Sequence, residues 1–290
     1  MNQPFFGPGG NSDAFRLWGG RSTLDAPRFV REMGLDAYEY EAGRGVTGSD
    51  EMFRAIGKEA QRYGVKMTFH APYFISLSGV ETDKRLKSLV YIEDSLHAAH
   101  LLGAGIIVVH TGSAAKISRA EAMRLATDTL YKTLESVDTR GIAIGLETMG
   151  KKNQLGTLDE VIELCRLDPR LYPVVDFGHL NARDLGGVFP DADAYRRVFD
   201  RIGEVLGWEK AAGLHCHFSK IEWTDAGEKR HLTFADDQYG PAYEPLMEAI
   251  AADGLYPTII SESAGTQSED ALTMKQCYTT IKGRMNHDEA

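Results

Sequence analysis

Several ordinary signatures are scarce or missing from this chain, and each shortage removes a class of function. Three cysteines stand among 290 residues, at Cys165, Cys216 and Cys277, with no C-x-x-C pair. That argues against a disulfide framework and against a cysteine-built zinc site. No apolar run reaches the ~18 residues of a membrane span, and the opening "MNQPFFGPGG" lacks the basic-then-apolar pattern of a secretion signal. A cytoplasmic protein without a membrane partner is expected. The turn "FGPGG" does not have the Gly-x-Gly-x-x-Gly spacing of a dinucleotide-binding sheet. Positive charge is short as well: 32 Lys and Arg against 42 Asp and Glu give a net charge of -10. A broad basic surface for nucleic acid is therefore not expected, although a local basic rim beside bound cations remains compatible with that balance.

What the chain does have is alternation. Short β-branched or apolar runs occur at "QPFFGP", "AYEYEA", "KMTFHAP", "IIVVHTG", "IAIGLET", "YPVVDFG", "AGLHCHF" and "PTIISES". Longer stretches of helical period separate them, such as "SDEMFRAIGKEAQRYG", where Met52, Phe53, Ile56, Ala60 and Tyr63 keep the i, i+3/4 spacing and Gly64 can end the helix. Ser118 before Glu121 and Thr157 before Glu160 read as capping boxes, and Gly103 and Gly254 as helix C-caps. Eight strand–helix alternations within one chain predict a single (β/α)8 TIM barrel over residues 1–285, with 286–290 as a tail.

The chemistry collects at the strand ends. His70, His110, Glu147, Asp176, His215 and Glu262 each fall at the C-terminal end of an expected strand. In a barrel those ends converge on one mouth. Imidazoles and carboxylates crowded into one cup need compensating cations, and the mixture suits zinc, manganese or iron. In "DFGHLNAR", Asp176 and His179 can face one site from a turn or short helix. In "HCHF", His215 and His217 share a face if extended. His217 then reads either as a ligand or as a group that orients one.

In this order, His70, His110, Glu147, Asp176, His179, His215, His231 and Glu262 resemble endonuclease IV, the zinc-dependent apurinic/apyrimidinic endonucleases built on a TIM barrel. The resemblance runs from "FFGPGG" to "SESAG", through "FHAPYFISL", "VVHTGS", "LETMGKKNQLGTLDE", "VVDFGHLNAR", "HCHFSK" and "EKRH". It is nearer to the AP endonuclease family 2 proteins of archaea and anaerobic bacteria. The resemblance implies two or three Zn2+ ions, with Mn2+ or Fe2+ as substitutes. His70, His110 and Glu147 would hold the first. Glu147, Asp176, His215 and Glu262 would hold the second, and His179 and His231 the third. It further implies that Glu147 and Glu262 are catalytic, that damaged double-stranded DNA is the partner of a monomeric enzyme, and that the bond 5′ to an abasic site is hydrolysed. Arg44, Tyr73 and Phe74 match loop residues that enter the bent DNA, and Lys220 matches a lysine near the phosphate.

The sequence departs from the family at one telling point. Where the family reads Asp-Arg-His, this chain has Lys229-Arg230-His231. A protonated lysine cannot ligate a metal, so either Lys229 points to phosphate or solvent while Glu228, Asp225 or His217 supplies the missing group, or the third site is weak or empty. The first strand also lacks the family's histidine-containing opening. The alternative reading is a sugar isomerase or epimerase of the xylose-isomerase-like superfamily, acting on a small sugar, in which Glu147 and Glu262 would shuttle a proton.

Overall fold

The computed structural model describes residues 2–288. Ten strands follow in chain order: β1 (Phe5–Pro8), β2 (Ala37–Glu41), β3 (Lys66–His70), β4 (Ile106–His110), β5 (Ala143–Glu147), β6 (Leu171–Asp176), β7 (His215–Phe218), β8 (Ile221–Thr224), β9 (Gly227–His231) and β10 (Thr258–Ser261). Eight of them pair in parallel in the order β1-β10-β7-β6-β5-β4-β3-β2. A parallel bridge between Gly9 and Glu39 returns the last edge to the first. Helices lie between the strands, and the architecture is the expected TIM barrel.

Side chains on a strand alternate between faces, so one parity packs outward beneath the helices. Phe69, Ile107, Val109, Ile144, Leu146, Val175, Cys216 and Ile259 belong to that buried apolar layer. The other parity faces the lumen, and strand register sets the height of each residue in it. Thr68 lies beside Glu39, Val174 beside His215, and Asp176 beside His217.

Local signals end the helices where the sequence places them. The helix Asp50–Tyr63 starts on Ser49, whose hydroxyl accepts from the Met52 amide, and stops at Gly64 in the left-handed region. Gly103 and Gly254 close their helices in the same way. Thr157 and Glu160 form the full reciprocal box. Ser118 caps its helix, but the Glu121 carboxylate turns to Arg124 instead of reaching back. The last helix, Gln267–Asp288, continues into the stretch expected as a tail, while residues 289 and 290 lie outside the described residues.

One element departs from expectation. The segment "GEKRH", absent from the eight expected strands, is β9 of an antiparallel hairpin with β8, inserted between β7 and β10. Bridges from Lys151 to Gly227 and from the Glu228 amide to the Gly150 carbonyl tie the hairpin to the loop after β5. Arg183, buried, holds that loop by donating to the carbonyls of Met149, Lys151, Lys152 and Gln154.

Closure of the barrel depends on a close approach at β1. A Cβ on Gly7 would stand 1.8 Å from the Ala37 carbonyl oxygen, and that obstacle is backbone. Gly7→Ala should therefore destabilise the fold by about 3 kcal/mol, measured by urea unfolding. A midpoint unchanged from wild type would show that β1 and β2 can part without loss.

Candidate metal centre

Glu147, at the end of β5 and 1% exposed, is the hub of the mouth. Its Oε2 lies 3.4 Å from His70 Nε2 and 3.2 Å from His110 Nε2. Its Oε1 lies 3.1 Å from His217 Nδ1 and 3.4 Å from His179 Nδ1. Four imidazoles from β3, β4, β7 and the short helix Phe177–Arg183 thus converge on one carboxylate. Asp176 caps that helix: its Oδ1 accepts from the His179 amide at 2.7 Å, leaving Oδ2 3.3 Å from His179 Nδ1. Glu262, just past β10, brings Oε1 within 3.3 Å of His217 Nδ1 and Oε2 within 3.8 Å of His231 Nδ1.

A second group adjoins the first. His179, Glu228 and His231 lie with their ligand atoms within 4.8 Å of one another, and His179 Nε2 is 3.4 Å from Glu228 Oε2. The Ser219 hydroxyl meets His231 Nδ1 at 2.8 Å. The hairpin pairs Ile221 with His231, Glu222 with Arg230 and Trp223 with Glu228, with a register shift between Glu222 and Trp223. Lys229 is therefore the extra residue of a β-bulge. Without it, Glu228 and His231, three apart, would face opposite sides of the strand. With it, they share one side, and Lys229 reaches the Glu222 carboxylate at 2.5 Å, away from the cluster. Gly150 leaves room for this arrangement, since a Cβ there would come within 2.6 Å of Glu228 Cβ and 3.0 Å of His179 Cδ2.

Two expected positions need correction. His215, expected on the second metal, lies a layer deeper in the lumen, with Nε2 2.9 Å from Glu39 Oε2. His217 stands at the level of Glu147 and Glu262 in its place. The cause is strand length: β7 continues to Phe218, so the histidine nearer the mouth is His217. Lys220, expected at phosphate, instead gives its ammonium to the carbonyls of Phe234 and Asp236. Asp225 is exposed in the hairpin turn, apart from the cluster. Arg44, Tyr73 and Phe74 are exposed on the loops after β2 and β3. Those loops touch through the Tyr73 amide and the Gly43 carbonyl, and Phe74 packs edge-on to Tyr91.

Glu39 is the residue that sequence reasoning passed over. It is fully buried, and its Oε2 also accepts from Thr68 Oγ1 at 2.8 Å while Oε1 lies 2.8 Å from His217 Nε2. Its signal was the parity of "AYEYE": Glu39 and Glu41 face the lumen of a strand that the fold must bury, and a buried carboxylate needs a partner.

The donor set fits divalent cations. Glu147 Oε2 and Asp176 Oδ2 are buried with no hydrogen-bond partner among the described residues. Ring nitrogens and carboxylate oxygens thus crowd together without all being satisfied by one another. The electrostatics call for positive charge. Burial alone would lower the pKa of His70, but Glu41 and Glu147 raise it to about 10. Burial likewise opposes protonation of His217 and His179, yet carboxylates overrule it: Glu262, Glu39 and Glu147 for His217, and Asp176, Glu147 and Glu228 for His179. Burial pushes the Glu262 carboxyl well above the usual range, aided by Glu147 and Asp176 and opposed by His217. His70, His110, Glu147, Asp176, His217 and Glu262 could hold two ions, and His179, Glu228 and His231 a third.

For Glu39, burial raises the pKa, but His217 and then His215 outweigh it and hold the carboxyl well below the usual range. A depressed carboxyl contributes stability that is complete above the unfolded pKa and is lost as pH falls through the folded value. Glu39→Gln should destabilise chelator-treated protein by about 3 kcal/mol at pH 7, and the gap to wild type should narrow below about pH 4. Thermal unfolding across pH measures both; a gap independent of pH would remove the charge from the explanation.

The family model described as a xylose isomerase-like TIM barrel matches residues 27–275. An uncharacterized protein of Methanocaldococcus jannaschii is 28% identical over 256 residues, covering 87% of this chain and 90% of that protein. An apurinic-apyrimidinic endonuclease of Caenorhabditis elegans is 30% identical over 215 residues, covering 71% of this chain and 52% of that protein, so the match spans about half the nematode protein. Among solved structures, a D-tagatose 3-epimerase-like protein superposes with a TM-score of 0.71 at 20% identity, over 99% of this chain and 100% of that one. Endonuclease IV from Thermus thermophilus gives 0.67 at 21%, over 97% and 100%. At these identities the two superpositions speak for the fold alone. The family model and the endonuclease relatives together carry the kinship: the chain belongs to the xylose isomerase-like TIM barrel family, alongside the endonuclease IV proteins.

Proposed function

We propose that the protein is a metal-dependent phosphodiesterase that hydrolyses the bond 5′ to abasic sites in DNA. The observation that carries this reading is the second ligand group, His179, Glu228 and His231, beside the group around Glu147. One or two ions suffice to polarise a hydroxyketone, whereas a phosphodiester presents attacking, leaving and non-bridging oxygens that all gain negative charge. Divalent ions, when bound, make hydroxide available near neutral pH and neutralise that charge.

In this reading His70, His110 and Glu147 hold the first ion. Glu147, Asp176, His217 and Glu262 hold the second, and His179, Glu228 and His231 the third. Glu262, the carboxyl with the raised pKa at the meeting of both groups, orients the attacking water and accepts its proton. Glu39 fixes His217 from behind, as a carboxylate behind a ligating histidine does. Ser219 does the same for His231. Arg44, Tyr73 and Phe74 are the exposed groups that would enter the duplex beside the lesion. Lys151 and Lys152, exposed on the loop after β5, are the local basic groups available to a phosphate on a chain of net charge -10, while Lys229 and Arg230 share the Glu222 carboxylate.

The second reading, an epimerase or isomerase acting on a small sugar, draws support from Glu147 and Glu262, which both approach His217 Nδ1 and could pass a proton between two faces of a substrate.

Metal stoichiometry and nicking separate the two. Wild type should bind three ions and nick an abasic duplex, and Glu147→Ala or Glu262→Ala should lower the rate at least about a thousandfold. Glu228→Ala should bind two, while Lys229→Ala should still bind three. Three-ion protein that leaves the abasic duplex intact but interconverts ketose epimers would replace the first reading with the second.

A further inference from the structure

At the N-terminal end of the barrel, opposite the metal centre, lies a cavity of about 460 Å³. Its walls include the first residues of successive strands: Lys66, Ile106, Ala143, His215 and Thr258, with Tyr172 of β6. TIM barrels usually fill this end with branched side chains. Here Lys66, Ala143, His215 and Thr258 occupy lumen positions beside Ile106 and Tyr172, and the chamber rises as far as His215 and Thr68, directly beneath Glu39.

Two features specify an occupant. The first is charge: Lys66, Lys210 and Arg170 line the cavity and no carboxylate does. Arg170 is paired with Asp168, but Lys66 meets the Thr258 hydroxyl at 2.7 Å and the Phe5 ring at 4.8 Å. Lys210 meets the Pro169 and Leu171 carbonyls at 3.1 and 2.7 Å, with the Tyr172 ring 4.1 Å away. Two ammonium groups without an ion-paired carboxylate among the described residues, on a chain of net charge -10, make a local positive field. The second is His215, a lining residue only 6% exposed. Its Nε2 lies 2.9 Å from Glu39 Oε2, which as a carboxylate oxygen accepts, so Nε2 is the donor. Nδ1 has no partner among the described residues. A buried polar atom of this kind calls for a partner, and a hydroxyl can supply one.

We propose that this chamber is a binding site for a small organic anion that also carries a hydroxyl group. The anionic end meets Lys66 and Lys210, the hydroxyl donates to His215 Nδ1, and the carbon frame rests on Ile106 and Tyr172. The site is distinct from the metal centre, and its occupancy stands apart from whichever reaction runs there. It is nevertheless connected to it: the ligand hydroxyl is one residue from Glu39 and two from His217.

Calorimetric titration of the metal-loaded full chain tests the proposal with three probes: glycerol 3-phosphate, lactate and inorganic phosphate. Either or both hydroxylated anions should bind saturably at one site, and the tighter of the two identifies the preferred head group. Inorganic phosphate, without a carbon-borne hydroxyl, should bind that site more weakly. Lys66→Met and Lys210→Met should each raise the Kd at least tenfold. Neither lysine contacts the metal centre, so binding there would be insensitive to both. In ¹⁵N-histidine spectra the His215 Nδ1 resonance should move on binding. Absence of binding by both hydroxylated anions, or affinities and His215 signals indifferent to the two variants, would overturn the site.

Discussion

Buried carboxylates must be compensated, and the mouth of this barrel is organised around that requirement. Glu147, Asp176 and Glu39 are within 1% of full burial. Leaving any of them ionised and alone would cost several kcal/mol. The fold answers with imidazoles delivered from separate strands, four of them onto Glu147. Imidazole suits the purpose because it can balance the charge as a cation or as the ligand of one. The neighbouring carboxylates raise the pKa values of His70, His179 and His217 against the effect of burial, so the cluster favours positive charge.

The hairpin solves a narrower version of the same problem. Where the resemblance implies an aspartate, this chain carries Lys229, and a cation aimed into the cluster would defeat the site. The bulge turns the substitution into an asset: Lys229 takes up the extra backbone position, goes to Glu222, and so lets Glu228 and His231 face inward together. The carboxylate has moved by one residue, and a one-residue bulge has moved with it. Gly150 completes the exchange by leaving space for the relocated side chain.

These details set the boundary of what the sequence discloses. All eight barrel strands were legible, since each is a short β-rich run between helical periods with identifiable caps. The convergence of His70, His110, Glu147, Asp176 and Glu262 followed from their strand-end positions. Height within the lumen was not legible. Period two says that His215 and His217 face the same way, but only the register with Val174 and Asp176 says which one reaches the mouth. Glu39 was hidden for a related reason: the parity of "AYEYE" points it into the lumen, but its partners Thr68 and His215 lie 29 and 176 residues away. The hairpin escaped because β8 has only four residues, too few for its alternation to stand out, and β9 carries charge at Glu228, Lys229 and Arg230 with no apolar alternation.

Glu39 also changes how the two ends of this barrel relate. In most TIM barrels the mouth carries the chemistry and the opposite end carries stability, with layers of branched side chains insulating one from the other. Here the layer between them is Thr68, Glu39 and His215, joined by hydrogen bonds of 2.8 and 2.9 Å. A polar layer is worth keeping only if every member is satisfied, and two atoms of this one, Glu39 Oε1 and His215 Nδ1, have no hydrogen-bond partner among the described residues. His215 therefore has two surroundings, the Glu39 carboxylate above and the cavity below. The polar interior is thus a single connected column, running from the cavity through His215 and Glu39 to His217 and the carboxylates of the mouth.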